Sequence, residues 1–346
     1  MLVMKKQTLI GLWKANTPPF VWLWSPLWIG AIILGLDGAA PEWGPIGLFL
    51  VTMTVVIAIA QYANTYADRE EDRIYIPTNP LVTGELTVKT ARNVFILQNI
   101  LAGLLLLALL LITSNYYLII AMIAGWFAGL AYSLPPLRLK ETVIGPIPHA
   151  LGMALLPIVG WLLVAPLNRF IIAFALFLFI HGLGFEITNK FRKTFHALSQ
   201  GYIEQNQQDN LYNISTVGLK LTVKTAMITE ATMALGAFIL VPVFWHMGIF
   251  DMPLSIGLLT LPLALTVLVI VLRIKDPVAN GPKCMLFMTM AWIFIALILL
   301  GVALTSLFHL GFTILLCTAF IIVSLLLVRT IYPFGRRAFK APWLEI

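Results

Sequence analysis

Three oxygen-bearing side chains recur at intervals of four residues at the end of a strongly apolar segment. Asn64, Asp68 and Asp72 lie at the end of, or just after, the apolar run of residues 44–66. On a helix this spacing places all three side chains on one face. Mg²⁺ prefers such hard oxygen ligands, and it commonly bridges to phosphate groups where a protein supplies only one or two carboxylates. The spacing is typical of a magnesium site, but also of a solvated helix end whose acids are neutralised by neighbouring arginines.

The rest of the sequence is that of an integral membrane protein. Of its 346 residues, 60% are hydrophobic and only 11% are charged, a composition that excludes a soluble globular domain. Apolar runs of about 18 or more residues, enough to cross ~30 Å of hydrocarbon, recur along the chain. The predicted spans are residues 18–36, 44–66, 92–113, 115–133, 142–164, 169–190, 221–247, 252–273, 284–306 and 308–331. The composition therefore predicts an all-α, multi-pass membrane protein.

The positions of lysine and arginine predict the orientation of these spans. Positive residues remain on the cytoplasmic side of short membrane loops. With ten spans, all of the 22 basic residues except Arg169 fall on one face. Both termini are therefore expected in the cytoplasm, and the expected location is a bacterial or archaeal cell membrane. The net charge of +7 follows from this topology and from an anionic leaflet, so it gives no support for nucleic-acid binding.

Two further segments complete a pattern that begins with the acidic residues. Residues 79–86 read NPLVTGEL and residues 132–140 read YSLPPLRLK. Together with Asn64-x-x-x-Asp68-x-x-x-Asp72 they resemble three motifs of the UbiA-type intramembrane prenyltransferase superfamily. These are the first aspartate-rich motif, the Pro-Leu-x-[Ser/Thr]-Gly segment and the Tyr-Ser-x-x-Pro segment, in the family's order and spacing. The resemblance extends more loosely across residues 15 to about 306.

This resemblance implies a UbiA-like bundle of nine to ten transmembrane helices that forms a single domain over residues 1–346. The family usually has nine spans, so the run at about 308–331 would be an additional C-terminal helix. In the family, a polyprenyl diphosphate and Mg²⁺ are held between two aspartate-rich motifs, one in each half of the chain. The basic and aromatic residues after the last span are expected to contact anionic membrane lipid.

The family motifs also imply roles for individual residues. The implied metal ligands are Asn64, Asp68, Asp72, Glu186 and Asp209. The implied catalytic residues are Asp68, Asp72 and Tyr132. The candidates for binding the diphosphate are Asn64, Arg138, Lys140 and Lys193. Each basic residue could instead serve only to orient the protein in the membrane, but Lys140 matches the family motif, which favours a functional role.

The second acidic motif departs from the family pattern. Where the family places several aspartates after the sixth span, this chain has Glu204, Asn206 and Asp209, with Glu186 and Asn189 further upstream. Asparagine and glutamate can still bind a hard cation through oxygen, with less negative charge to hold it. The second metal site is therefore expected to be weakened or remodelled.

Three functions agree with this pattern. The first is Mg²⁺-dependent transfer of a prenyl group from its diphosphate to a lipophilic acceptor, either aromatic or isoprenoid. The second is a UbiA-type terpene cyclase that ionises the same substrate and has no acceptor. The third, a cation-coupled transporter, is less favoured because the acids lie at helix ends rather than near the membrane midplane. The sequence does not separate transfer from cyclisation.

Two histidines in predicted spans are candidates for proton transfer from an acceptor. His149 and His181 lie near span ends and could act as general bases for an acceptor hydroxyl. A packed, hydrogen-bonded histidine is the alternative for each.

Overall fold

The computed structural model describes residues 6–16, 18–75, 78–142, 144–199, 223–275, 280–308 and 310–331, and within these residues the regular structure is entirely helical. In chain order the first helices are α1 (Lys6–Asn16), α2 (Pro18–Leu36), α3 (Trp43–Ala67), α4 (Asp72–Tyr75), α5 (Val88–Thr113) and α6 (Tyr116–Ser133). A short 3₁₀ helix, Leu139–Glu141, precedes α7 (Pro146–Leu162) and α8 (Arg169–Ser199). The last helices are α9 (Val223–His246), α10 (Met252–Leu259), α11 (Leu261–Lys275), α12 (Gly281–Thr305) and α13 (Leu310–Ile331).

Several of these helices are long and apolar enough to cross a membrane. Within the described residues, 6 segments meet the length and composition of a span, and the bent pair formed by α1 and α2 would make 7. The 6 are Trp43–Ala67, Val88–Thr113, Tyr116–Ser133, Arg169–Glu186, Met252–Leu272 and Leu286–Thr305. Shorter apolar helices occupy the remaining predicted runs. The all-α membrane class is thus confirmed, whereas a count of nine to ten spans is not confirmed by these helix lengths.

The buried core joins the two halves of the chain. Trp28 of α2, Phe174 and Phe177 of α8, and Trp292 of α12 are buried in one apolar cluster. The ring of Trp24 meets the edge of Trp292 at 5.5 Å between centroids and 89° between planes, an arrangement that aromatic pairs favour. Because helices from both halves share this cluster, they can hold a site that combines residues from each half.

Close helix approach depends on Gly160, where α7 crosses α2. A methyl group on this residue would lie 2.4 Å from the carbonyl oxygen of Trp28 and 2.8 Å from its Cα. Both atoms belong to the backbone, so the helices would have to separate. Small residues allow this kind of approach between membrane helices.

We therefore expect Gly160→Ala to lower stability in detergent by about 1–3 kcal/mol through overpacking. Gly152→Ala is a matched control on the same helix, because nothing lies within 4 Å of the added methyl group. Thermal unfolding of the purified variants measures both. Equal stability of the two variants would show that α7 does not approach α2 this closely.

Helix α1 is fixed beside the end of α3. Lys14 forms an ion pair with Glu85 at 2.6 Å, and Gln98 donates a hydrogen bond to the side chain of Asn16 at 2.7 Å. The hydroxyl of Thr65 lies 3.3 Å from the carbonyl oxygen of Ala15. These contacts hold α1 against α3, against α5 and against the segment between α4 and α5.

Candidate active site

The acidic spacing is preserved across the end of α3. The helix ends at Ala67, where the backbone N–H of Asp68 donates to the carbonyl of Asn64 at 3.0 Å. The N–H of Asp72 then donates to the carbonyl of Asp68 at 2.7 Å, and α4 begins at Asp72. Successive turns therefore carry the two aspartates even though the regular helix is interrupted between them.

Both aspartates are buried, unlike the acids between them. Asp68 is 1% exposed and Asp72 is 5% exposed, whereas the side chain of Glu70 is 63% exposed and pairs with Arg69 and Arg73. A solvated helix end describes Glu70 well, but it does not describe the two aspartates. Carboxylates removed from water need charged or hydrogen-bonding partners.

The partners of Asp68 come from the segment after α6. Lys140 forms an ion pair with Oδ1 of Asp68, and a terminal nitrogen of Arg138 lies 3.8 Å from the same oxygen. Arg138 also pairs with Glu141 at 2.5 Å. Its backbone is left-handed, with φ of 35°, which is uncommon outside glycine. This turn directs the segment so that Arg138 and Lys140, which were predicted to bind the diphosphate, both lie beside Asp68, a predicted metal ligand.

Asp72 is held by the segment that follows α4. The side-chain amide of Asn79 donates to Oδ2 of Asp72 at 2.8 Å and to the carbonyl of Thr65 at 3.1 Å. Its oxygen accepts the N–H of Leu81 at 2.9 Å. Asn79 is not among the site residues predicted from the sequence, although Asn79 is the first residue of the NPLVTGEL segment. That motif match was the signal that could have identified it.

Removing the Asn79 amide is expected to lower activity by about 10–100-fold, the usual effect of losing a group that orients a metal ligand. Asn79→Ala leaves the Asp72 carboxylate intact but removes the donor that positions it. Turnover of a prenyl diphosphate, the substrate class that the sequence resemblance implies, at saturating Mg²⁺ measures the effect. Thr78→Ala is the control in the same loop, because this residue is exposed and lies outside the NPLVTGEL motif. Equal activity of both variants would mean that Asn79 does not position Asp72.

A second cluster of polar side chains lies between α6, α7 and α8. The hydroxyl of Tyr132 donates to Oε1 of Glu186, and Nδ1 of His149 lies 3.5 Å from Oε2 of the same carboxylate. Glu186 is completely buried. The next residue after the tyrosine, Ser133, donates from its hydroxyl to the side-chain oxygen of Asn64 at 3.4 Å. Two adjacent residues of α6 therefore connect the acidic end of α3 with Glu186 of α8.

Other predicted residues are placed differently or not at all. His181 is fully buried between the rings of Phe177, Phe238 and Trp292, which favours its role as a packed histidine. The side chain of Lys193 and the whole of Asp209 lie outside the described residues. The prediction that they contribute to the site therefore stays a prediction.

The described acids do not form a metal cage by themselves. Within the part of the chain that the structure describes, no three histidine, cysteine, aspartate or glutamate side chains are grouped so that they could hold an ion. Asn64, Asp68 and Asp72 offer one amide oxygen and two carboxylates. Such a donor set fits Mg²⁺, which keeps several waters and completes its shell with substrate phosphates.

This fold and site define an all-α membrane protein with a buried acid and base cluster at one end of its bundle. The family model of the UbiA prenyltransferase family matches residues 23–290. The chain therefore belongs to that family, and prenyl transfer within the membrane is the general activity that this membership supports. No match to a curated protein was found.

Several solved structures align with this chain over almost their whole length. A digeranylgeranylglyceryl phosphate synthase aligns with a TM-score of 0.57 at 19% identity, over 86% of this chain and 99% of that one. A UbiA homologue from Archaeoglobus fulgidus bound to GPP and Mg²⁺ gives 0.55 at 18% identity, over 96% and 100%. The same homologue bound to DMAPP and Mg²⁺ gives 0.53 at 18%, over 95% and 99%. At these identities the likeness shows the shared fold.

Proposed function

We propose that the protein is a Mg²⁺-dependent intramembrane prenyltransferase that joins the prenyl group of a polyprenyl diphosphate to a lipophilic acceptor. The observation that carries this proposal is the convergence of Lys140 and Arg138 on the buried carboxylate of Asp68. Acids for a metal and bases for a diphosphate thus occupy one place at the end of a membrane helix. Family membership and the two Archaeoglobus fulgidus structures with Mg²⁺ and a prenyl diphosphate support the same assignment.

The ligands proposed for Mg²⁺ are Asn64, Asp68 and Asp72, with Asp209 as a further predicted ligand. When bound there, the ion would neutralise charge on the diphosphate and make it a better leaving group. Glu186 stays a predicted ligand that no observation tests, and we propose a different role for it, since its two carboxylate oxygens face Tyr132 and His149.

Lys140 and Arg138 have the second role in the proposal. Binding of a cation by Asp68 would free both side chains to contact the diphosphate oxygens, since lysine supplies a point charge and arginine a forked pair of donors. The bond between the prenyl carbon and the diphosphate oxygen breaks, and the diphosphate keeps the electron pair. The acceptor then forms the new bond and loses a proton.

Tyr132 is proposed to stabilise the allylic cation through the face of its ring. Its hydroxyl is held by Glu186, which fixes the orientation of the ring. The apolar bundle around it limits access of water, which would otherwise capture the cation. The membrane orientation with both termini in the cytoplasm, predicted from the basic residues, would place the diphosphate at the cytoplasmic surface.

The test uses detergent-purified protein with prenyl diphosphates of several lengths, with and without Mg²⁺. Diphosphate release and the organic extract are followed with and without a membrane lipid extract as the source of acceptors. Metal-dependent release with a product that contains an acceptor supports the transferase. A cyclic hydrocarbon or alcohol formed without acceptor would identify a terpene cyclase. Absence of release from every substrate would contradict both and favour a transporter.

A further inference from the structure

We infer that His149 binds the acceptor, through a hydrogen bond from a neutral hydroxyl of the acceptor to Nε2 of its ring. The inference rests on the proposed function and deepens it, because it names a residue that holds the second substrate. Glu186 and Tyr132 act in it as positioning residues for the histidine.

The inference places the hydrogen of a neutral His149 ring on Nδ1, the nitrogen that faces Glu186. A carboxylate accepts hydrogen bonds, so the nitrogen that faces it, Nδ1, carries the hydrogen. The Nδ1 to Oε2 distance is 3.5 Å, longer than a usual N–H···O hydrogen bond, so the carboxylate acts on this nitrogen through its charge. In a neutral ring with hydrogen on Nδ1, Nε2 is left as an acceptor. Its natural ligand is therefore a group that donates a hydrogen bond, such as a hydroxyl.

Nε2 of His149 has no hydrogen-bond partner in the described part of the protein, although the atom itself is buried. Buried polar atoms are almost always paired, and an exception asks for a ligand or a water that completes the pairing. The side chain as a whole is 25% exposed, so the ring is not sealed within the core. These two features together are those of a ligand-binding group.

The surroundings of His149 suit the body of a lipophilic molecule. Its ring stacks on Phe185 at 5.8 Å between centroids, and Tyr132 lies at 6.0 Å on a tilted plane. Phe185 in turn meets Trp292 edge to face at 5.7 Å. Small-molecule sites are commonly built in this way, from aromatic walls with a few polar groups that fix orientation.

The charge of Glu186 restricts the acceptor's polar end to a neutral group. A carboxylate or phosphate placed on Nε2 would lie close to this buried carboxylate and would lack a donor on the ring nitrogen. Ser133, the residue after Tyr132 in the chain, contacts Asn64 at the acidic end of α3. The acceptor hydroxyl would therefore bind beside the proposed metal ligands rather than on them.

The experiment compares His149→Phe with the wild-type protein and with His246→Gln, a control histidine that is exposed at the end of α9. Each is incubated with labelled prenyl diphosphate, Mg²⁺ and a membrane lipid extract. Labelled lipid product and released diphosphate are both measured across a range of extract concentrations. Phenylalanine supplies an aromatic ring that can still stack on Phe185 but has no ring nitrogens.

We expect His149→Phe to lower the yield of product per diphosphate released by about tenfold or more, because the buried hydroxyl of the acceptor would lose its hydrogen-bond partner. The extract concentration for half-maximal transfer should rise, while Mg²⁺-dependent release stays close to that of the wild type, because water entering the empty acceptor site captures the prenyl cation and releases it as the prenyl alcohol. His149→Gln, whose side-chain oxygen can accept a hydrogen bond, should recover part of the yield. An unchanged yield in His149→Phe, or a parallel loss of release and product, would overturn the inference.

A wild-type protein that releases diphosphate but labels no lipid would overturn both the inference and the transferase assignment. Glu186→Gln separates the two roles considered for that residue. As a positioning residue, its loss should lower the product yield without changing the Mg²⁺ concentration for half-maximal release. A large rise in that Mg²⁺ concentration would instead show a metal ligand and would contradict the positioning role.

Discussion

Asp68→Asn is expected to lower Mg²⁺-dependent diphosphate release by about 10²–10³-fold, the range seen when one preorganised charge-stabilising group is removed. The carboxylate is buried and faces two cations. Asparagine keeps the shape of the side chain but loses the charge that would hold Mg²⁺. Initial rates of diphosphate release over a range of Mg²⁺ concentrations measure the effect, and the Mg²⁺ concentration for half-maximal release should rise.

Glu70→Gln is the matched control for Asp68→Asn. It neutralises an acid two residues away whose side chain is 63% exposed and pairs with Arg69 and Arg73. An ion pair this exposed contributes little, so release should stay almost unchanged. A loss in Glu70→Gln as large as that in Asp68→Asn would mean that the overall acidity of the loop matters rather than this position.

Lys140→Met is expected to destabilise the protein by about 3–5 kcal/mol, the usual cost of removing one partner of a buried ion pair. The side chains of Lys140 and Asp68 are 10% and 2% exposed, so water cannot replace the lost partner. Arg138, at 3.8 Å, compensates only in part. Thermal unfolding in detergent without metal measures the change.

A double-mutant cycle separates this pair from general effects of substitution. Asp68→Asn combined with Lys140→Met removes both charges, so the double variant should be more stable than the sum of the two single losses predicts. Coupling of about 0.5–3 kcal/mol is expected for residues in direct contact. Additive losses would contradict the buried pair. Mg²⁺ should stabilise Lys140→Met more than the wild type, because it replaces the missing cation at Asp68.

The sequence predicted the acidic face because its signal is local. Asn64, Asp68 and Asp72 are related by a spacing of four residues, and backbone hydrogen bonds between 64 and 68 and between 68 and 72 preserve that spacing where α3 ends. The apolar runs likewise predicted where the helices lie. Both predictions depend only on helical geometry within one segment.

Contacts between helices could not be predicted in the same way. Tyr132 meets Glu186 across 54 residues of sequence, and Ser133 meets Asn64 across 69. Such pairs depend on how α3, α6 and α8 pack, and no periodic pattern in the sequence reports it. Burial of the two aspartates could not be predicted for the same reason. The residues that shield them from water belong to the segments that carry Asn79 and Lys140. Short motifs marked those segments without revealing their partners.

A structure with Mn²⁺ and a non-hydrolysable prenyl diphosphate analogue tests the proposed site most directly, since anomalous scattering locates the ion. The expected result is Mn²⁺ in direct coordination with the carboxylates of Asp68 and Asp72 and with the diphosphate, and Lys140 moved from Asp68 to a diphosphate oxygen. A bound analogue whose ion lies away from both aspartates, with Lys140 still paired to Asp68, would contradict the proposed role of this cluster in prenyl diphosphate ionisation.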